Sequence, residues 1–147
     1  MSKRSGSRIL VALAAGAVTF GISQAPASAG DSGAADWYVS GVSDSGCSAS
    51  NGEYTYSVVP ETNPTQYNAE YSLSVWRESC ESSVTAHLRV RYSEWDGWSW
   101  YDSGWKTIAS SAGGGYAYDE MFSVKDVRFA VCDYTSARGN FNCEYVS

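Results

Sequence analysis

Cys47, Cys80, Cys132 and Cys143 are the residues whose chemistry is most constrained by spacing, because each neighbouring pair brackets a turn. Cys132 and Cys143 flank Ser136-Ala137-Arg138-Gly139, and Cys47 and Cys80 flank Pro60-Glu61-Thr62-Asn63-Pro64. A hairpin folded at either turn brings its own cysteines within the short Cα separation a disulfide needs. Four cysteines allow three connectivities, and the hairpin arithmetic favours Cys47–Cys80 with Cys132–Cys143. Strict alternation places Cys47 and Cys80 on the face opposite the apolar residues of their hairpin, which a bulge near Gly52 would correct. Zinc is the competing use of the thiolates. It is disfavoured, because no Cys-x2-Cys pair occurs and His87 is the single histidine.

The other reactive side chains form no catalytic pattern. Nucleophilic catalysis at His87 needs a Ser or Cys beside the ring and a carboxylate behind it, and the local sequence supplies neither. Glu94 with Asp96, or Asp119 with Glu120, are the carboxylate pairs that glycoside hydrolysis would call on, but they sit among turn residues where acids are ordinary. No EF-hand spacing points to calcium. Gly113-Gly114-Gly115 lacks the following Lys and helix of a phosphate cradle, so no cofactor is expected. The chain reads as a non-enzyme.

Binding is the better use of the unusual residues. Trp95, Trp98, Trp100, Tyr101 and Trp105 crowd into eleven positions beside Glu94, Asp96 and Asp102. Exposed indoles among acids suit sugar stacking or a protein hot spot. The alternative is that these rings fill the core of a domain with little Leu and Ile. Trp37-Tyr38-Val39 forms a second apolar island, in a Gly- and Ser-rich stretch over residues 30–51. Two readings are open for that stretch: a flexible arm that docks on a partner, or the first strand of the domain's own sheet.

Strands must position all of these. From Val84 to Tyr92 the chain alternates without error, with Val84, Ala86, Leu88, Val90 and Tyr92 inward and Thr85, His87, Arg89 and Arg91 outward. Asp96-Gly97 is a hairpin turn, with a return strand over residues 98–101. Further strands are predicted over 105–109 and 124–134, the latter apolar on both faces and therefore central, with a loop over 110–115 between them. Folding about Asn63-Pro64 pairs Tyr54 with Leu73, Tyr56 with Tyr71 and Val58 with Ala69. Folding at Ala137-Arg138 pairs Ala130 with Tyr145, Cys132 with Cys143 and Tyr134 with Phe141. No helical periodicity extends over ten residues beyond residue 29. The expected fold is all-β, a small antiparallel β-sandwich or barrel with two disulfides, occupying residues 52–147.

The first 29 residues read as a signal peptide: basic Lys3, Arg4 and Arg8, an apolar run over residues 9–22 and the cleavage site Ala27-Ser28-Ala29. Taking Lys3, Arg4 and Arg8 from the 10 basic residues leaves 7 against 16 acidic ones, a net charge of −9. Such a surface disfavours nucleic acid, and no later apolar segment suggests a membrane partner. A secreted, extracellular chain is expected.

Two resemblances follow from particular residues and a third from overall organisation. The ending Val127-Arg128-Phe129-Ala130-Val131-Cys132 to Cys143, with the Ala-rich leader and Trp-rich middle, resembles a group of small exported actinobacterial proteins, which implies fold and compartment but no activity. Trp76-Arg77 and the segment from Cys80 to Tyr92 are similar to the contact motif and strand of tendamistat-type amylase inhibitors. That likeness covers about twenty residues and departs from the motif at Glu78, where the family has tyrosine. Size, export, a compact β-domain and the 30–51 arm resemble the small linking subunit of umbrella toxin particles. The resemblance implies an adaptor in an extracellular antibacterial complex. The expected function is a secreted protein-binding module working through Trp37, Tyr38 and Val39, with carbohydrate binding through Trp95, Trp98 and Trp100, or hydrolase inhibition, as the alternatives.

Overall fold

The computed structural model describes residues 34–147, and the expected signal peptide lies outside the described residues. The described chain is antiparallel β apart from one 3-10 turn at Ser111–Gly113: β1 Ala35–Val42, β2 Ser48–Val59, β3 Gln66–Arg77, β4 Thr85–Trp95, β5 Trp100–Asp102, β6 Lys106–Ser110, β7 Tyr116–Thr135 and β8 Gly139–Val146. The strand order is β1-β2-β3-β7-β4-β5, with β6 also on β4 and β8 also on β7. Both expected disulfides are present, Cys47–Cys80 and Cys132–Cys143.

The long strand β7 organises the sheet. Its first half pairs with β3 and its second half with β4 and β8. The change of partner falls at Val124, which pairs with Tyr67 of β3 and Glu94 of β4 and is fully buried. Positive φ angles at Ser123 and Asp126 bend the strand on either side of that point, as bulges do when a strand turns from one partner to another. The strand expected over residues 124–134 is only the second half of β7. Residues 116–123 alternate too, with Ala117 and Met121 buried and Tyr116, Tyr118, Glu120 and Phe122 exposed, but the glycines before them resembled a loop.

The expected arm requires the main correction. Residues 35–42 are β1, paired along their whole length with β2, and Val39 lies in the core. Ser40 and Ser147 also exchange two backbone hydrogen bonds, at 3.2 and 3.1 Å, tying the first strand to the end of the last. β1 therefore belongs to the domain, which the expected boundary at residue 52 left out. A strand with one core side chain and a full ladder gains more by pairing than by remaining free.

Both hairpin registers shift. In the first, Tyr54 pairs with Tyr71, Tyr56 with Ala69 and Val58 with Tyr67, two residues from the expected partners. A shift of two keeps every side chain on its face, so the alternation that suggested the pairing cannot distinguish the two registers. Thr62 sets the actual one. Its hydroxyl donates to Val59 O at 3.0 Å and accepts from Gln66 N at 2.9 Å, centring the turn one residue earlier. No bulge forms at Gly52. Instead, Cys80 reaches Cys47 from irregular chain beyond β3, where Glu78 N donates to Cys47 O at 2.8 Å. In the last hairpin Ala130 pairs with Tyr145 as expected. A bulge between Val131 and Asp133 then pairs Tyr134 with Asn140 instead of Phe141.

The core is built from small and aromatic residues. Leu73, Leu88, Val90, Val124 and Val131 form its centre. Phe129 packs edge-on against Tyr54 and Tyr71, with ring centroids 5.4 and 5.3 Å apart. Tyr56 stacks on Tyr67 at 4.5 Å. Tyrosine thus supplies the volume that scarce Leu and Ile do not. None of the six tryptophans is buried. The core-filling reading of the indoles therefore fails.

Candidate functional site

The ladder separates the expected binding residues. Within the island, alternation turns Trp37 and Val39 toward the core side and Tyr38 to the outer face. Trp37 is half-exposed at the rim, beside Tyr54 and Tyr56. Trp95 and Trp100 pair across the β4–β5 hairpin, centroids 5.4 Å apart and tilted by 55°. Lys125 Nζ lies 4.5 Å over the Trp100 ring. Trp98 stands apart at the turn tip, 91% exposed. The three indoles form no single platform. Trp98→Ala is expected to change stability by less than about 0.5 kcal/mol, which thermal unfolding would check.

The candidate chemical groups are committed to structure. Asp96 Oδ1 accepts from Trp98 N at 2.8 Å and Ser99 N at 2.7 Å, and these turn bonds hold its carboxyl below the usual range. Asp119 and Glu120 are consecutive in β7 and point to opposite faces. His87 stacks on Tyr134 at 4.1 Å and its Nδ1 is 2.8 Å from Asn140 Oδ1. An amide, not a carboxylate, orients this ring. Burial lowers the His87 pKa, against the opposing effect of the Asn140 bond. Among the described residues no group of three His, Cys, Asp or Glu side chains is placed to hold a metal ion.

A broader feature lies on the outer face of β1, β2, β3 and β7. Cross-strand rows run Tyr38–Glu53–Ser72–Tyr118, Ser40–Asn51–Ser74–Tyr116 and Asp36–Thr55–Glu70–Glu120. Serines on β3 keep the middle low, and Tyr38, Tyr116, Tyr118 and Phe122 stand exposed around it, with Trp76 at one end. Tyr116 OH and Ser72 Oγ are 3.0 Å apart, and Tyr118 OH donates to Glu120 at 2.8 Å. The bond to Glu120, with the charges of Glu120 and Glu70, pushes the Tyr118 phenol up to about 12. Asp36, Glu53, Glu70 and Glu120 share these rows with no Lys or Arg. Four strands span about 14 Å at the usual strand spacing. The face is aromatic, acidic and flat.

Of the expected residues, only Tyr38 belongs to this face. Trp76, Tyr116, Tyr118 and Phe122 were not singled out for it, although the period-2 alternation over residues 116–122 carried the signal. Compared with known proteins, the chain matches no family model, no curated protein and no solved structure.

Proposed function

We propose that this chain is a secreted, non-enzymatic binding module whose outer β1-β2-β3-β7 face docks on a protein partner. The observation that carries the reading is the cluster of exposed rings, Tyr38, Trp76, Tyr116, Tyr118 and Phe122, on one sheet face. Tyr, Trp and Phe are the side chains enriched at protein interfaces and their hot spots. The carboxylates of Asp36, Glu53, Glu70 and Glu120 give the partner its chemistry: a basic surface around an apolar centre. The two disulfides fit an oxidising, extracellular compartment. No helix among the described residues is long and apolar enough to cross a membrane. In its most specific form the role is an adaptor in an extracellular antibacterial complex, as the resemblance to the umbrella-particle subunit implies.

Capture from culture supernatant, with partners identified and quantified, tests the reading. The native chain should retain a defined protein at fixed stoichiometry. Tyr118→Ala and the double variant Glu70→Lys with Glu120→Lys should each weaken capture at least about tenfold, the loss of one hot-spot side chain. Trp98→Ala should leave it unchanged. Capture that survives both face variants would contradict the proposal.

A further inference from the structure

A groove over β4, β7 and β8 lies outside the residues of the docking face. On the outer surface of β4, β7 and β8, Arg89 pairs with Ala130 and Ala130 with Tyr145, while Arg91 lies directly across from Arg128. Ala130 is small and lies between two long side chains, so it forms a floor, extended by the Cys132–Cys143 bridge. Trp105 and Tyr145, ring centroids 6.1 Å apart, border two adjoining hollows of about 280 and 180 Å³.

Two of the three arginines at the groove have no ion-pair partner. Like charges directly opposite on neighbouring strands are destabilising, yet Arg91 faces Arg128, with Arg89 diagonal to it. Arg91 is neutralised by Asp102, which is held at about 2 chiefly by that contact. It is the only ion pair among the described residues. Arg128 and Arg89 have no such partner. Arg89 donates through Nη2 to Trp105 O at 2.9 Å and its guanidinium lies 5.8 Å from the Trp105 ring, but its Nε is buried without any hydrogen-bond acceptor. A buried donor left unpaired is costly, so stability does not explain the arginine at this position. Three of the seven Lys and Arg residues beyond residue 29 of an acidic chain converge here.

We infer that this groove binds a carboxylate-bearing saccharide. The guanidiniums of Arg89 and Arg128 receive the carboxylate, since arginine's planar fork matches that group. Trp105 and Tyr145 offer ring faces for the apolar side of the sugar. Asp102, Asp126 and Glu144, which also line the hollows, accept hydrogen bonds from hydroxyls. Those same acids repel a phosphate dianion, so a singly charged, hydroxyl-rich ligand fits better. The site is separate from the docking face and does not depend on it.

The test is binding of the native chain and of Arg128→Gln to an array of carboxylate-bearing oligosaccharides (oligogalacturonate and glucuronate-containing oligomers among them), each beside its neutral counterpart. Signal should be confined to the carboxylate forms, fall at least tenfold in Arg128→Gln, and resist competition by inorganic phosphate at equal concentration. The unliganded Arg128→Gln variant should melt no lower than the native chain, because it removes a like-charge opposition. Trp105→Phe, which keeps a ring at the same wall, should retain binding above the Arg128→Gln level. Absence of signal at every carboxylate form, equal signal at neutral forms, full displacement by phosphate, or a markedly lower melting temperature for Arg128→Gln would each overturn the assignment.

Discussion

Gly52→Ala is expected to cost more than about 4 kcal/mol, among the rare single substitutions of that size. A Cβ at position 52 would lie 2.1 Å from Ser72 O and 2.8 Å from Leu73 Cα. Both are backbone atoms of β3, the strand to which Gly52 is paired, so no rotamer change relieves the overlap. The φ of +152° adds a conformation that a side chain rarely adopts. Leu73, across the ladder, is a fully buried centre of the core, so moving β3 away would open the best-packed region. Thermal unfolding should show a drop of at least about 15 °C, or no folded protein at all. Gly113→Ala is the control: it has no positive φ and no neighbour within 4 Å, and should be within about 0.5 kcal/mol of the native chain. A Gly52→Ala protein of native stability would mean that β2 and β3 do not pair in this register.

The second large effect is expected at Asp133, whose side chain fastens the two ends of the domain together. Ser43 and Ser48 hydroxyls donate to Oδ1 at 2.9 and 2.7 Å, and Ser45 and Asn142 donate to Oδ2. Asp133 is 1% exposed. Burial alone would raise its pKa, but the bonds from Ser45, Ser48, Asn142 and Ser43 outweigh it and hold the carboxyl below its ordinary range. Asp133→Ala strands the two buried hydroxyls of Ser43 and Ser48 and should cost about 3–5 kcal/mol. The pH dependence has a definite sign. Because the folded carboxyl is held low, its contribution is full above the unfolded value near pH 4 and is lost as pH falls through the lower folded value. The gap between native and Asp133→Asn proteins, read by denaturant unfolding, should therefore be widest at neutral pH and narrow below about pH 4. A constant gap down to pH 2 would show that the charge contributes nothing.

The sequence revealed this fold unevenly, for physical reasons. The disulfides were legible because each cysteine pair straddles a turn, and β4 because Ala86, Leu88 and Val90 alternate cleanly with His87, Arg89 and Arg91. Registers were less so, since a two-residue slip preserves every face and the Thr62 bonds that accompany the observed one form only in the folded turn. Asp133 could not be read at all: its donors lie 85 to 90 residues away or across a bulge. The candidate surfaces were half visible. The exposed indoles drew attention to the Trp98 turn, whereas the rings that gather on one face come from β1, β3 and β7, strands that become neighbours only in the folded sheet. The same holds for the groove, where Trp105, Arg128 and Tyr145 meet from separate segments.

The account's central claim is that the β1-β2-β3-β7 face is where the partner binds. Amide hydrogen exchange on the native chain, alone and in complex with its captured partner, tests it most directly. Protection on binding should concentrate in residues 36–40, 51–55, 70–76 and 116–122, and leave the Trp98 turn and β8 at their free rates. Protection centred on the Trp98 turn, or on β8 and the groove beside it, with the four-strand face unchanged, would contradict the account.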